Sequence, residues 1–397
     1  MSTNKFKQKP KQVKAERVKK EPNLRFRGFL ASLFKNKAAY DHGRKEKWWV
    51  ATLLFIFSII IAIIPAMVMV SKTSGSDNLK GSLYHTDIAL TKFVETLDTN
   101  NVDLKVIEEA SGKKVFSDNG TGFTTTVGTK IYTLTSDSVT SDIPYYSYSE
   151  VKTIATRDEN DVVTYTDVNF EYLRVYYTAH LDTTYLNGNV ITEPEVFLAN
   201  RLLNLTGEDA KNNVTSHLII GKTALYMRLY NPNKLNEPNS ALTFDGRTNS
   251  LEVGLNIRDF GKVDVDGKPI LKTDMDYADK VVANFAKMQD AAYTEVKTQR
   301  FWISTGMYAI IFTGIGLVMG LVIFVATRGK MNPNRDLKFF EAMKVGAWLL
   351  PTPALLTLIL GFILPESFFQ TIFVMALGMR SVWLTMRTLG PQAQDNR

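Results

Sequence analysis

The chain contains no cysteine and only four histidines in 397 residues. The first absence removes disulfides as a source of stability, whatever the redox state of the compartment. It also removes thiolate metal ligands and thiol nucleophiles. His42, His85, His180 and His217 are scattered, with no H-E-x-x-H spacing, which argues against zinc. Neither a Walker lysine loop nor a G-x-S-x-G elbow nor a kinase-like set of motifs occurs, so any ATP-driven step would need another subunit. "DVDG", Asp264 to Gly267, opens like a calcium loop but lacks the third ligand position and the closing glutamate, and reads as a hairpin turn. No acid or base pair suited to an enzyme is located, and no catalytic, cofactor-binding or metal-binding residue is assigned.

What the chain does have is apolar length and charge, kept apart. "KEKWWVATLLFIFSIIIAIIPAMVMVSKTSGS" passes from charge through Trp48 and Trp49 into an apolar run, Ala51 to Val70. About 20 apolar residues span a hydrocarbon core of roughly 30 Å, longer than a signal peptide's apolar core of roughly 7–15 residues. No small-residue cleavage site follows Pro65, so the segment reads as a retained anchor with an aromatic pair at the interface. Three further apolar runs follow, giving expected spans at 48–70, 301–327, 345–364 and 368–386, the last two separated by a turn at 365–367. The net charge of +7 divides into +11 over residues 1–48, −8 over 71–300 and +4 over 301–397. Positive charge beside spans and an acidic middle fit the positive-inside rule, not nucleic-acid binding, for which no fold signature is present. That rule predicts both termini and residues 328–344 on the cytoplasmic side, with 71–300 outside.

The expected class is therefore an α+β membrane protein: one span, a large β-rich extracytoplasmic domain flanked by stalk helices, then three spans. Residues 1–22 read as a disordered basic tail, 23–47 as an amphipathic helix at the inner interface or packed beneath the bundle, 328–344 as a loop helix and 387–397 as a tail. At roughly 230 residues the domain is long enough to bury its own core. Helical faces are predicted from Leu79 to Leu97 and from Ala278 to Val296. Strands are predicted in "KIYTLT", "VVTYTDV", "LRVYYTA" and "HLIIGKTALYMRLY", with turns at Asn187-Gly188 and Asp266-Gly267.

Three groups stand out as structural or interaction candidates. Tyr145, Tyr146 and Tyr148 could stack on a sugar or a partner, or sit half-buried in a sheet. Gly316 and Gly320, at G-x-x-x-G spacing in the second span, admit a close helix, either the first span or another protein. Arg380 interrupts the fourth span and needs acceptors. Pro351 and Pro353 lack N–H groups, which frees the carbonyls of Ala347 and Leu349, and Arg380 is expected to cap them unless it reaches the headgroups.

The stretches "FRGFLASLFKNKAAYDHGRKEKWWVATLLFIFSIIIAIIPAMV", "LIIGKTALYM" and "LKFFEAMKVGAWLLPTPALLTLILGFILPESFF" resemble a bacterial membrane family of unknown function that includes proteins labelled maltodextrin-utilisation protein. That resemblance implies one span, an outer domain and a cluster of spans with prolines in the third, and a non-enzymatic accessory or regulator of envelope transport, with carbohydrate uptake as the associated process. It supplies no catalytic residue. The implied partners are the lipid bilayer and another membrane or transport protein. The span order also resembles mechanotransmitting permeases that pair with a cytoplasmic ATPase, for which "NRDLKFFEAMK" would be the contact.

Overall fold

The computed structural model describes residues 24–80, 85–118, 122–136, 139–157, 163–179, 184–186, 189–191, 194–203, 215–229, 242–329, 332 and 334–387. The basic tail at 1–22, His180, Asn187-Gly188 and residues 388–397 lie outside them. The helices are α1 (Leu24–Phe34), α2 (Asn36–Lys45), α3 (Trp48–Lys72), α4 (Asp77–Lys80), α5 (Thr86–Thr99), α6 (Pro194–Leu203), α7 (Tyr277–Ala326), α8 (Phe339–Leu349), α9 (Pro351–Gly361) and α10 (Phe369–Arg387). The strands are β1 (Leu104–Glu108), β2 (Lys114–Asp118), β3 (Lys130–Ser136), β4 (Val139–Arg157), β5 (Val163–Tyr177), β6 (Thr184–Leu186), β7 (Asn189–Ile191), β8 (Ser216–Ile220), β9 (Ala224–Leu229) and β10 (Leu242–Arg247). The chain divides into two compact units, Met69–Ile303 and the segments Met1–Val68 with Ser304–Arg397.

The unit Met69–Ile303 is built on a six-stranded sheet in the order β10-β9-β8-β5-β4-β3. All neighbours are antiparallel except β5 and β8, which run parallel. A parallel pair cannot be joined by a tight turn, and the connection here includes the β6-β7 hairpin and α6. Helices cover both faces. On one, Leu90, Phe93 and Leu97 of α5 and Val281, Phe285 and Met288 of α7 share a core with Leu173, Val175 and Met227. On the other, Leu198, Ala199 and Leu202 of α6 pack with Tyr176, Ile219 and Tyr226.

This corrects the expected stalks. The apolar faces of α5 and of the first turns of α7 are buried in the domain core; periodicity reports that a helix has a buried side, and is silent on what buries it. "HLIIGKTALYMRLY" holds two strands, turning at Gly221, where a Cβ would meet the Glu195 side chain at 2.5 Å. At Asp264–Lys268 the turn forms as read: Asp264 accepts from the Asp266 and Lys268 N–H groups, and Gly267 takes φ +79°.

In the other unit four stretches are long and apolar enough to cross a bilayer: Trp48–Lys72, the apolar portion of Tyr277–Ala326, Phe339–Gly361 and Phe369–Met386. The expected stalk and second span are a single 50-residue helix, α7. The helix expected within 328–344 begins only at Phe339 and runs on toward the third span, which bends at Leu350 between α8 and α9. The helix expected over 23–47 is two, broken at Lys35, whose backbone is extended (φ −119°, ψ 113°). These two pack on the spans. Buried Tyr40 donates to Asn334 Oδ1 (2.8 Å), and Gly43 lies so close to α8 that a Cβ there would stand 2.7 Å from Val345 Cα.

Candidate functional sites

Strand register places two rows side by side on the α6 face of the sheet. Ser147, Arg174, His217 and Arg228 are successive cross-strand partners, and so are Tyr145, Tyr176, Ile219 and Tyr226. Arg174 is well partnered. Its Nε donates to Glu171 Oε2 at 2.7 Å, its guanidinium lies 5.3 Å from the Tyr145 ring centroid, and Glu171 also accepts from Ser147 Oγ. Burial opposes ionisation of Glu171, but hydrogen bonds from Arg174 and Ser147 prevail and hold its carboxyl below the ordinary range.

His217 and Arg228 are different. Both are buried, and neither ring nitrogen of His217, nor Nε or Nη1 of Arg228, has a hydrogen-bond partner among the described residues. Burial, with the guanidinium groups of Arg174 and Arg228 on the strands to either side, pushes the His217 pKa down to about 3, so the ring is neutral at physiological pH. Burial also lowers the Arg228 pKa. The row presents two guanidinium groups flanking a neutral imidazole, an arrangement that favours negative charge.

The pleat separates the three tyrosines of "PYYSY". Tyr145 is on the α6 face, 5.3 Å from the Tyr176 ring, whereas Tyr146 faces Phe93 of α5 at 5.2 Å and Tyr148 lies 6.4 Å from Tyr172. All three are half-buried. They are sheet residues on opposite faces and do not form one stacking platform. Tyr148 donates to Glu150 Oε1 (2.6 Å), and burial with that carboxylate raises its pKa.

Beyond a bulge between Tyr148 and Ser149, β4 and β5 pair, among the described residues, only with each other, from Ser149–Glu171 to Arg157–Val163. Eight residue steps make a two-stranded ribbon about 27 Å long. Val163–Asn169 is exposed throughout. One face of the ribbon carries Val151 (66% exposed), Ala155, Val163 and Tyr165 (72% exposed), interleaved with Thr153, Arg157, Asp167 and Asn169.

In the membrane-type unit, Arg380 ties α10 to α1, α2, α8 and α9. Nε donates to Asn36 Oδ1 (3.0 Å), Nη1 to the Leu349 carbonyl (3.0 Å) and Thr352 Oγ1 (2.6 Å), and Nη2 to the Ser32 carbonyl (2.5 Å). Thr352 in turn donates to the Leu33 carbonyl. Leu349 is one of the two carbonyls that the prolines free. The other, Ala347, accepts from the Leu350 N–H at 3.4 Å.

Gly316 and Gly320 face neighbours within the same unit. A Cβ at Gly316 would stand 2.8 Å from the Phe55 ring of α3, and one at Gly320 would stand 2.5 Å from Met343 Sδ and 3.2 Å from its Cα. Gly346 of α8 completes the approach, its Cβ position lying 3.1 Å from Gly320 Cα. Small residues on both helices let the backbones nearly touch.

Arg228, Asn36 and Ser32 were not singled out from sequence, and His217 was noted only as one of four scattered histidines. Every residue of β8 and β9 is buried, so no alternation marks either strand's polar members. The partners of Arg380 on α1 and α2 lie more than 340 positions away. In the comparisons with known proteins, no family model matches the chain, and neither a curated relative nor a solved structure does.

Proposed function

We propose that the chain is a multi-pass bacterial membrane protein that acts, without catalysing a reaction, as an accessory or regulator of transport across the cell envelope. Its working part is the domain of residues 69–303, on the outer side of the membrane. The observation that carries this reading is the β4-β5 ribbon. An isolated two-stranded ribbon is only marginally stable, and this one presents exposed Val151, Val163 and Tyr165 interleaved with Thr153, Asp167 and Asn169, the mixed apolar and polar surface of a non-obligate protein contact site. The partner is a membrane component of a solute-uptake system, and carbohydrate is the solute class the sequence resemblance implies.

The test places a photoactivatable amino acid at Tyr165 in intact cells. Cross-linking to an integral component of a solute-uptake system supports the reading. A cytoplasmic ATPase recovered in equal amount with the chain, and no cross-link from the ribbon, would replace it with the permease-like alternative. Orientation has its own test in this cysteine-free chain: Ser250→Cys reacts with an impermeant thiol reagent in intact cells, and Asn332→Cys does not. Labelling at position 332 would overturn the assigned topology.

A further inference from the structure

Where α3 begins, the middle of the apolar part of α7 and the start of α8 enclose a groove of about 760 Å³, within the range of cavities that hold small-molecule ligands. Its walls are apolar, including Ala51, Phe55, Ile56, Leu317 and Met343. Gly316 forms part of the floor, where the second span comes up against the Phe55 ring. Its mouth is polar, with Glu46, Lys47, Lys338, Glu341 and Lys344 beside Trp48.

Three of the five charged groups have a partner within the unit. Lys344 Nζ donates to the Arg44 and Glu46 carbonyls at the end of α2 (3.1 and 2.8 Å). Glu341 Oε2 accepts from the Lys338 N–H (3.0 Å) at the start of α8, and the Glu46 carboxylate stands 4.0 Å from His42. Lys47 and Lys338 remain, both exposed and without an acidic partner among the described residues. From Trp48 to Ile56 is eight residues of helix, about 12 Å, close to half of a hydrocarbon core of roughly 30 Å. The mouth therefore carries the ammonium groups of Lys47, Lys338 and Lys344 against the carboxylates of Glu46 and Glu341, a net positive charge, and the groove runs from it through apolar walls to about the depth of one leaflet.

Water would leave those walls uncompensated, and a soluble anion would use only the mouth. We propose that the groove holds an acyl chain of an anionic phospholipid, whose phosphate is bound by Lys47 and Lys338. Basic pockets between spanning helices bind anionic headgroups in this way, each lysine contributing about five-fold. The proposal needs only that the unit resides in a bilayer. It does not depend on the transport partner or on which side the domain faces.

The experiment is native mass spectrometry of the full chain in detergent, titrated with phosphatidylglycerol and with phosphatidylcholine of the same acyl chains. One phosphatidylglycerol is expected to bind about 20-fold more tightly than phosphatidylcholine. The double variant Lys47→Gln, Lys338→Gln is expected to lose that preference and keep residual binding of both lipids. Thr52→Trp, which places a ring in the groove, is expected to lose both. Equal binding of the two lipids by the unaltered chain overturns the headgroup assignment, and needs no variant to fold. Undiminished binding by Thr52→Trp overturns the location, and displacement of the lipid by glycerol phosphate overturns the role of the acyl chain.

Discussion

Arg380 and Arg228 are both arginines set among apolar neighbours, and the two units treat them in opposite ways. Four acceptors, one on each of α1, α2, α8 and α9, meet Arg380. Arg228, 3% exposed, leaves Nε and Nη1 without an acceptor among the described residues and has the neutral His217 beside it. In hydrocarbon an unsatisfied polar group has no water to fall back on, so a cation there survives only where the protein supplies its hydrogen bonds. In the domain the same residue type is tolerated without them, at a cost borne by the rest of the core. The first arginine organises its surroundings and the second burdens them.

Replacement of each arginine by an apolar residue tests that contrast most directly. Arg380→Leu strands the carbonyls of Leu349 and Ser32 together with Asn36 and Thr352. It is expected to destabilise its unit by about 3 kcal/mol or more, since a buried group left unpaired costs about 1–3 kcal/mol. Arg228→Met is expected to be neutral or stabilising by about 1 kcal/mol, as when an uncompensated buried charge gives way to apolar packing. Thermal unfolding in mild detergent measures both; a loss at Arg228 equal to that at Arg380 would erase the distinction.

The second measurement follows stability against pH. With its pKa near 3 in the folded domain and about 6.5 when unfolded, His217 binds a proton in the unfolded chain first. Its contribution is present above pH 6.5 and is lost as pH falls from there toward 3, by up to about 1.4 kcal/mol per unit. His217→Phe is expected to flatten that slope. Glu171, whose pKa is lowered, acts at the acid end: its contribution is present above the ordinary carboxylate value and is lost as pH falls through the lower folded one. Glu171→Gln should therefore change the profile only there, and an unchanged slope in the His217 variant would mean the ring is already charged when folded.

A double-mutant cycle gives the smallest and sharpest signal. The bond from Arg380 goes to Leu349, the carbonyl freed by Pro353, and not to Ala347, freed by Pro351. Arg380→Leu with Pro353→Ala is expected to couple by about 1 kcal/mol, and with Pro351→Ala to add within about 0.5 kcal/mol. Equal coupling to both prolines would mean that the guanidinium senses the bend as a whole.

Much of this was legible in the residues. Four apolar runs marked the spanning stretches to within a few positions, apart from the early start of the third at Phe339, because length and composition suffice for that purpose. β9 fell inside a predicted run, β3 and β8 overran theirs by one residue, β5 joined two runs into one strand, and Asp266-Gly267 formed its turn. What failed was non-local. The parallel pairing of β5 with β8 and the crossover through α6 leave no periodic trace, and amphipathic α5 looks the same whether it covers a sheet or stands as a stalk. Arg380 announced its need for acceptors but not that Asn36 and Ser32 would meet it.

The placement of α7 also sets an order of events in time. Its residues Val281, Phe285, Met288 and Val296 share a core with Leu90 and Phe93 of α5, yet roughly 200 residues separate the two, about 10–40 s of synthesis. Throughout that interval the sheet lacks one of its covering helices, and the parallel pair β5 and β8 must itself wait for its long crossover. The domain therefore cannot reach its final packing until the helix leading into the second span has been made. A chain ended at Asp276 is expected to be digested by protease far faster than the full one, so the domain's maturation is timed by the arrival of its own next membrane segment.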